Sequence, residues 1–149
     1  MWTLGIDPSP TATGIVVALD GEPVEGWCVP VTQVAQVLEL VRERTVGGDL
    51  GAACIEDPGR YHLTKQARVA ATACEREVKR LWGRKIPIYK PRPQTWRKAV
   101  LGTGKAGKRG ATIFAEINGW PQVLNTNDHN VLEAACLARY AYDEELVRG

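Results

Sequence analysis

The chain has 149 residues, 44% of them apolar and 24% charged, with a formal net charge of +2. That length buries a core of ordinary size and suits one domain, and the composition excludes a mainly disordered chain. No apolar run approaches the roughly 20 residues of a membrane span, and the start Met1-Trp2-Thr3-Leu4 lacks the charged and apolar regions of an export signal.

Trp2–Asp7 is a β-prone run closed by Pro8-Ser9-Pro10, and Gly14–Leu19 reads as a second strand. Asp20-Gly21 signals a hairpin turn, which makes Val24–Val29 a third strand antiparallel to the second. Val34, Val37, Leu38 and Val41 recur at helical spacing and predict an amphipathic helix over 32–46, ended by Gly47-Gly48. Ala52–Glu56 is a short apolar run ending in a carboxylate, which suits a buried parallel strand. Ala67, Ala70, Ala71, Cys74, Val78 and Leu81 mark a long helix over 63–82, with basic residues on its other side. Ile86–Tyr89 is one more strand. Pro91 and Pro93 break the chain before a short segment, Thr95–Leu101. Gly102, Gly104, Gly107 and Gly110 predict a loop too rich in glycine for stable helix. Ile113, Phe114 and Ile117 mark a helix stopped by Asn118-Gly119 and Pro121, and a last helix runs from Asp128 to Val147. The order β-β-β-α-β-α-β-α-α predicts an α/β layer fold, a five-stranded mixed sheet with helices on its faces. Nothing divides it, so residues 1–149 are expected to form one domain.

The small net charge hides a split. Residues 1–57 hold nine acidic and two basic side chains, residues 58–110 two and fifteen, and residues 111–149 six and two. A basic middle of this density points to a polyanion partner, with a solvated helix face as the plainer alternative. Cys28, Cys54, Cys74 and Cys136 are scattered, with no CxxC pair. That argues against a redox motif and for reduced, buried residues in a cytosolic chain.

Sites in α/β sheets gather at the carboxyl ends of strands and the starts of helices. Asp7 and Glu56 end two predicted strands, while Asp128, His129, Asn130 and Glu133 crowd the start of the last helix. Asn130 and Glu133 lie three apart and share a helix face, as do His129 and Glu133 at four. Such an acidic pocket repels itself unless a cation fills it, and carboxylates suit Mg²⁺ or Mn²⁺. Two such ions, about 3.5–4 Å apart, activate a water and stabilise the leaving oxygen in phosphodiester hydrolysis. Plainer roles stand beside these. Asp7 could start a turn, Glu56 could be a solvated strand end, and Asp128 suits a helix cap better than a ligand position.

The residues now named resemble those of the RuvC-type Holliday-junction resolvases, especially the short phage members, over nearly the whole chain. Leu4-Gly5-Ile6-Asp7-Pro8-Ser9 resembles the family's first motif and Cys54-Ile55-Glu56 its second, with Asp7 and Glu56 as metal ligands. Leu101–Lys108 resembles its Gly-rich basic loop, with Lys108 as the functional lysine and Arg97 where many members carry another base. Asp128–Ala135 resembles the final motif, placing Asn130 and Glu133 on its two ligand positions, with Asp128 and His129 as lesser candidates. The resemblance implies a ribonuclease-H-like fold, a homodimer, two Mg²⁺ ions per site (Mn²⁺ as a substitute) and paired nicking of four-way DNA junctions that leaves 5′ phosphates. A phage-encoded member would act in the host cytoplasm.

Asn130 departs from the family, which has Asp or His there. Asn130 is used as it stands, or Asp128 or His129 compensates, or the chain is an engineered Asp→Asn variant trapped on DNA; the last is the preferred expectation. Lys108 is expected at the scissile phosphate, or else as an ordinary phosphate contact. Lys65, Arg68, Arg76, Arg97, Lys98, Lys105 and Arg109 are expected to grip backbone phosphates. Tyr61 is a candidate to stack on bases at the crossover, or a core or interface tyrosine. The small face of the long helix serves a dimer or its own sheet. The rival readings are a broader flap or fork nuclease and a junction binder disabled by Asn130. A sugar-kinase-like phosphate loop over residues 5–14 is a third, but that fold needs two domains and more than 149 residues.

Overall fold

A computed structural model describes residues 1–45, 49–59, 65–105 and 107–149, apart from the Lys108 side chain. The strands are β1 (Trp2–Asp7), β2 (Thr13–Leu19), β3 (Glu22–Val29), β4 (Ala52–Ile55) and β5 (Ile88–Tyr89). A 3₁₀ turn over Val31–Gln33 leads into α1 (Val34–Arg44), and α2 (Lys65–Trp82) links β4 to β5. Four helices follow: α3 (Pro93–Leu101), α4 (Gly107–Ile117), α5 (Trp120–Leu124) and α6 (His129–Arg148). The sheet order is β3-β2-β1-β4-β5. β1 pairs antiparallel with β2 and parallel with β4, which makes the five-stranded sheet mixed, as expected.

Period-two alternation sorts the strand residues between two helical layers. Leu4, Ile6, Ile15, Val17, Ala53 and Ile55 pack with Val34, Val37, Leu38 and Val41 of α1 and Cys74 and Val78 of α2. Val16, Ala18, Ala52 and Cys54 face the other way, into a core built by α6 with Trp96, Ala111, Ala115 and Trp120. α6 sits unusually close to the sheet. A Cβ at Gly5 would collide with the Ala134 carbonyl oxygen, and one at Gly14 with that of Asn130. Thr3 Oγ1 adds a buried hydrogen bond to the Ala138 carbonyl oxygen at 3.0 Å.

Three local expectations are corrected. Gly107, with φ 63°, opens α4 and Gly110 lies inside it, rather than in a loop. An interior glycine costs a helix about 1 kcal/mol, and burying Ala111 and Ala115 in the α6 core offsets that. Pro121 sits in the first turn of α5 instead of only ending the helix before it, because proline is tolerated there. Cys28 is exposed, whereas the other three cysteines are buried as expected. Among the described residues, no helix is long and apolar enough to cross a membrane.

Candidate active site and nucleic-acid interface

The same alternation decides which carboxylates meet. Gly5 and Cys54 face α6, so Asp7 and Glu56, the next residues in those series, emerge on that face at the carboxyl ends of β1 and β4. The two strands run parallel with Ile6 opposite Ile55, and the Glu56 N–H donates to the Ile6 carbonyl oxygen at 3.2 Å. Asp7 and Glu56 therefore stand side by side.

The start of α6 closes the site. Asp128 takes the capping role: its Oδ1 accepts from the backbone N–H groups of Asn130 at 2.8 Å and Val131 at 3.4 Å. His129 is exposed on the first turn. The Asn130 backbone rests on Gly14, the register partner of Asp7, and its Nδ2 lies 4.0 Å from Cys28 Sγ. Cys28 is in turn the partner of Gly14. Glu56, Asp7, Gly14 and Cys28 thus form a lateral row across β4, β1, β2 and β3, with the first turn of α6 over it. Partial desolvation by its neighbours, and then the Asp128 charge, push the exposed Cys28 thiol up, and Asp7 adds to the effect against the Asn130 hydrogen bond.

One turn further along, Glu133 is 4% exposed. Its Oε1 accepts from Arg97 Nη2 at 3.1 Å. The neighbouring Trp96, fully buried, donates from Nε1 to Glu56 Oε2 at 2.6 Å. Two consecutive side chains of α3 therefore engage two of the expected metal ligands. The Arg97 guanidinium lies 5.2 Å from the Trp96 ring centroid, and its Nε is buried with no hydrogen-bond partner. Sequence reasoning had placed Arg97 among the phosphate grips and had not singled out Trp96. A tryptophan after two prolines reads as core, and no spacing rule links it to a carboxylate 40 residues upstream.

Oxygen donors gathered at one sheet end suit a hard divalent cation, and the pocket already draws one cation, Arg97, onto Glu133. Asp7, Glu56, Asn130 and Glu133 therefore fit such an ion in the chemistry of their donors. Among the described residues, no three of His, Cys, Asp and Glu stand as a ready-made metal cluster; Glu133 instead pairs with Arg97.

A cleft of about 480 Å³ opens beside Glu56, lined also by Asp57, Arg68, Thr72, Glu75 and Lys90. Lys90 Nζ lies 2.7 Å from Glu75 Oε1 and Lys79 Nζ 3.6 Å from Oε2. The Lys90 ammonium beside it holds the Glu75 carboxyl below its ordinary value. Lys65, Arg68 and Arg76 of α2 border a shallower hollow and are exposed. Gln94, Lys98, Thr103 and Lys105 border another, of about 420 Å³, and Arg109 is exposed on α4. Tyr61 and the Lys108 side chain lie outside what the structure describes.

This sheet order, with helices on both faces, defines a ribonuclease-H-like fold of the RuvC type. The chain is similar to the structure of RuvC from Thermus thermophilus, at a TM-score of 0.71 and 18% identity over 99% of this chain and 97% of that one. It is equally similar to T. thermophilus RuvC in complex with a Holliday junction substrate, at 0.70 and 18% over 97% and 96%. No family model matches the sequence, and no curated protein does.

Proposed function

We propose that this chain is a divalent-metal-dependent endonuclease that acts on branched DNA, four-way junctions above all, as a homodimer of single nuclease domains. The observation that carries this reading is the placement of Asp7 and Glu56 side by side at the ends of two parallel strands, with Asn130 over the neighbouring Gly14, beside a cleft with Arg68 and Lys90 in its wall. The fold shared with a RuvC that was solved on a Holliday junction supports the choice of substrate.

Asp7, Glu56 and Glu133, with the Asn130 side chain, would hold the metal. Bound there, Mg²⁺ or Mn²⁺ would supply an activated water and charge stabilisation for hydrolysis that leaves 5′ phosphates. The protein's own groups do the rest. Trp96 fixes one oxygen of Glu56. Arg68, Lys65 and Arg76 offer exposed charge along α2 to backbone phosphates. Lys98, Lys105 and Arg109 offer it near the Gly-rich loop, where Lys108 would meet the scissile phosphate. These contacts position DNA without reading sequence, so selectivity rests on junction shape. Val69, 57% exposed, and Ala73 border an apolar hollow with Pro10 and Val31, the face of α2 on which a second copy would pack.

Nicking of synthetic four-way junctions, flaps, forks and plain duplex, with and without Mg²⁺, tests the reading. Paired nicks in junctions, only with metal, are expected. Cutting of flaps and forks at equal rates would replace it with a broader branched-DNA nuclease. One observation favours a second reading, a junction binder that does not cut: the Asn130 amide brings no charge, and Glu133 is held by Arg97. If Asn130 stands in for a catalytic Asp, Asn130→Asp should raise the nicking rate strongly, and an unchanged rate would sink that explanation.

A further inference from the structure

We propose that Arg97 couples metal binding to DNA binding: in the free protein its guanidinium serves as the cation of Glu133, and a DNA backbone phosphate draws it away so that Glu133 can serve a divalent ion. The inference rests on the metal-dependent reading above and adds a control of that site.

The Arg97–Glu133 pair differs from the other ion pairs among the described residues. Its side chains are 16% and 5% exposed, against 50% and 51% for Arg80 and Glu39. Exposed pairs contribute little, whereas breaking a buried pair strands a charge without compensation. Neither partner can leave unless both are given replacements. A divalent ion replaces the guanidinium at Glu133. A phosphate replaces Glu133 at the guanidinium, whose planar fork matches phosphate oxygens. The fork also has an unmet donor, the buried Nε. Were Arg97 to stay while a divalent ion arrived, two like-charged groups would compete for one carboxylate. Metal without DNA, and DNA without metal, each leave one buried charge poorly matched; together they match both. The coupling must be reciprocal, so metal tightens DNA by the factor by which DNA tightens metal.

The experiment titrates Mn²⁺ into the full chain without DNA, following the free ion by electron paramagnetic resonance, for the parent protein and Arg97→Gln. Removing the resident cation should tighten Mn²⁺ binding about tenfold, within the usual range of coupling factors. A four-way junction should then tighten Mn²⁺ binding more for the parent than for Arg97→Gln. Equal or weaker Mn²⁺ binding by Arg97→Gln in the absence of DNA overturns the proposal. A measurement on the unaltered chain decides the matter if that variant does not fold. The nitrogen resonances of the Arg97 guanidinium should stay in place when Mg²⁺ is added alone and move when a junction is added; movement with Mg²⁺ alone overturns the proposal. If the parent cuts junctions while either test fails, the coupling falls and the nuclease reading stands. If no form binds Mn²⁺ with or without a junction and none cuts, both fall.

Discussion

The two helical layers meet the sheet in different ways. α1 and α2 pack with Val34, Val37, Leu38, Val41, Cys74 and Val78 against branched strand residues, an apolar contact with ordinary side-chain spacing. α6 crosses the other face on Gly5 and Gly14, with Ala134, Ala135 and Ala138 in the contact layer. Small residues let its backbone approach so closely that its first turn lies over the row that begins at Glu56 and Asp7. The price is a layer that must also bury Glu133 and find it a partner. One layer supplies apolar burial without polar constraints; the other holds polar groups in place and depends on each of them being matched.

Substitutions in the two layers should separate these roles. The largest effect is expected at Gly5→Val, where the new side chain meets the α6 backbone with nothing flexible to yield. It should abolish cooperative folding in circular dichroism, and a melt close to that of the parent would refute the close-approach argument. In the opposite layer, Leu38→Ala leaves a cavity that costs about 2–5 kcal/mol. Chemical denaturation should show that loss with junction affinity retained in the folded protein; a matching fall in affinity would mean that the layers are not separable. Next comes Trp96→Phe, which keeps an aromatic ring and removes the donor to Glu56. The loss of a hydrogen bond to a charged group should cost about 1.5–3 kcal/mol in the same assay. A neutral result would show that another group takes over the Glu56 oxygen.

The smallest effect is expected at Glu75→Gln, in the wall of the cleft beside Glu56. The folded-state carboxyl is held below its ordinary value by Lys90. Its contribution is therefore present above the ordinary glutamate pKa and lost as pH falls through the lower folded value. The pair is part-exposed and screened, so the melting temperature should drop only slightly at pH 7, with no difference from the parent in strong acid. A difference that grows on acidification would contradict the sign.

Much of the layout is legible in the chain. Short β-prone and apolar runs placed Asp7 and Glu56 at strand ends, helical spacing placed Asn130 and Glu133 on one face, and Asp20-Gly21 marked the β2–β3 hairpin. Asp128 read as a cap, and it caps. Gly107 and Gly110 misled, because local propensity counts the cost of glycine and not the burial of Ala111 and Ala115 further along the same helix. Arg97 marks a different limit of the sequence. Among fifteen bases in residues 58–110, nothing local separates one that faces solvent from one that faces a buried carboxylate.

By itself, then, the sequence determined the elements, the sheet class, the charge split and the carboxylates at element ends, because these follow from periodicity and residue type. Only the tertiary structure decided that Glu56 is met by Trp96 and Glu133 by Arg97, contacts that span 40 and 36 residues. They depend on where α3 lies after two prolines and on how closely two glycines let α6 approach. A buried charge takes the partner that packing brings to it, and packing is a property of the whole fold.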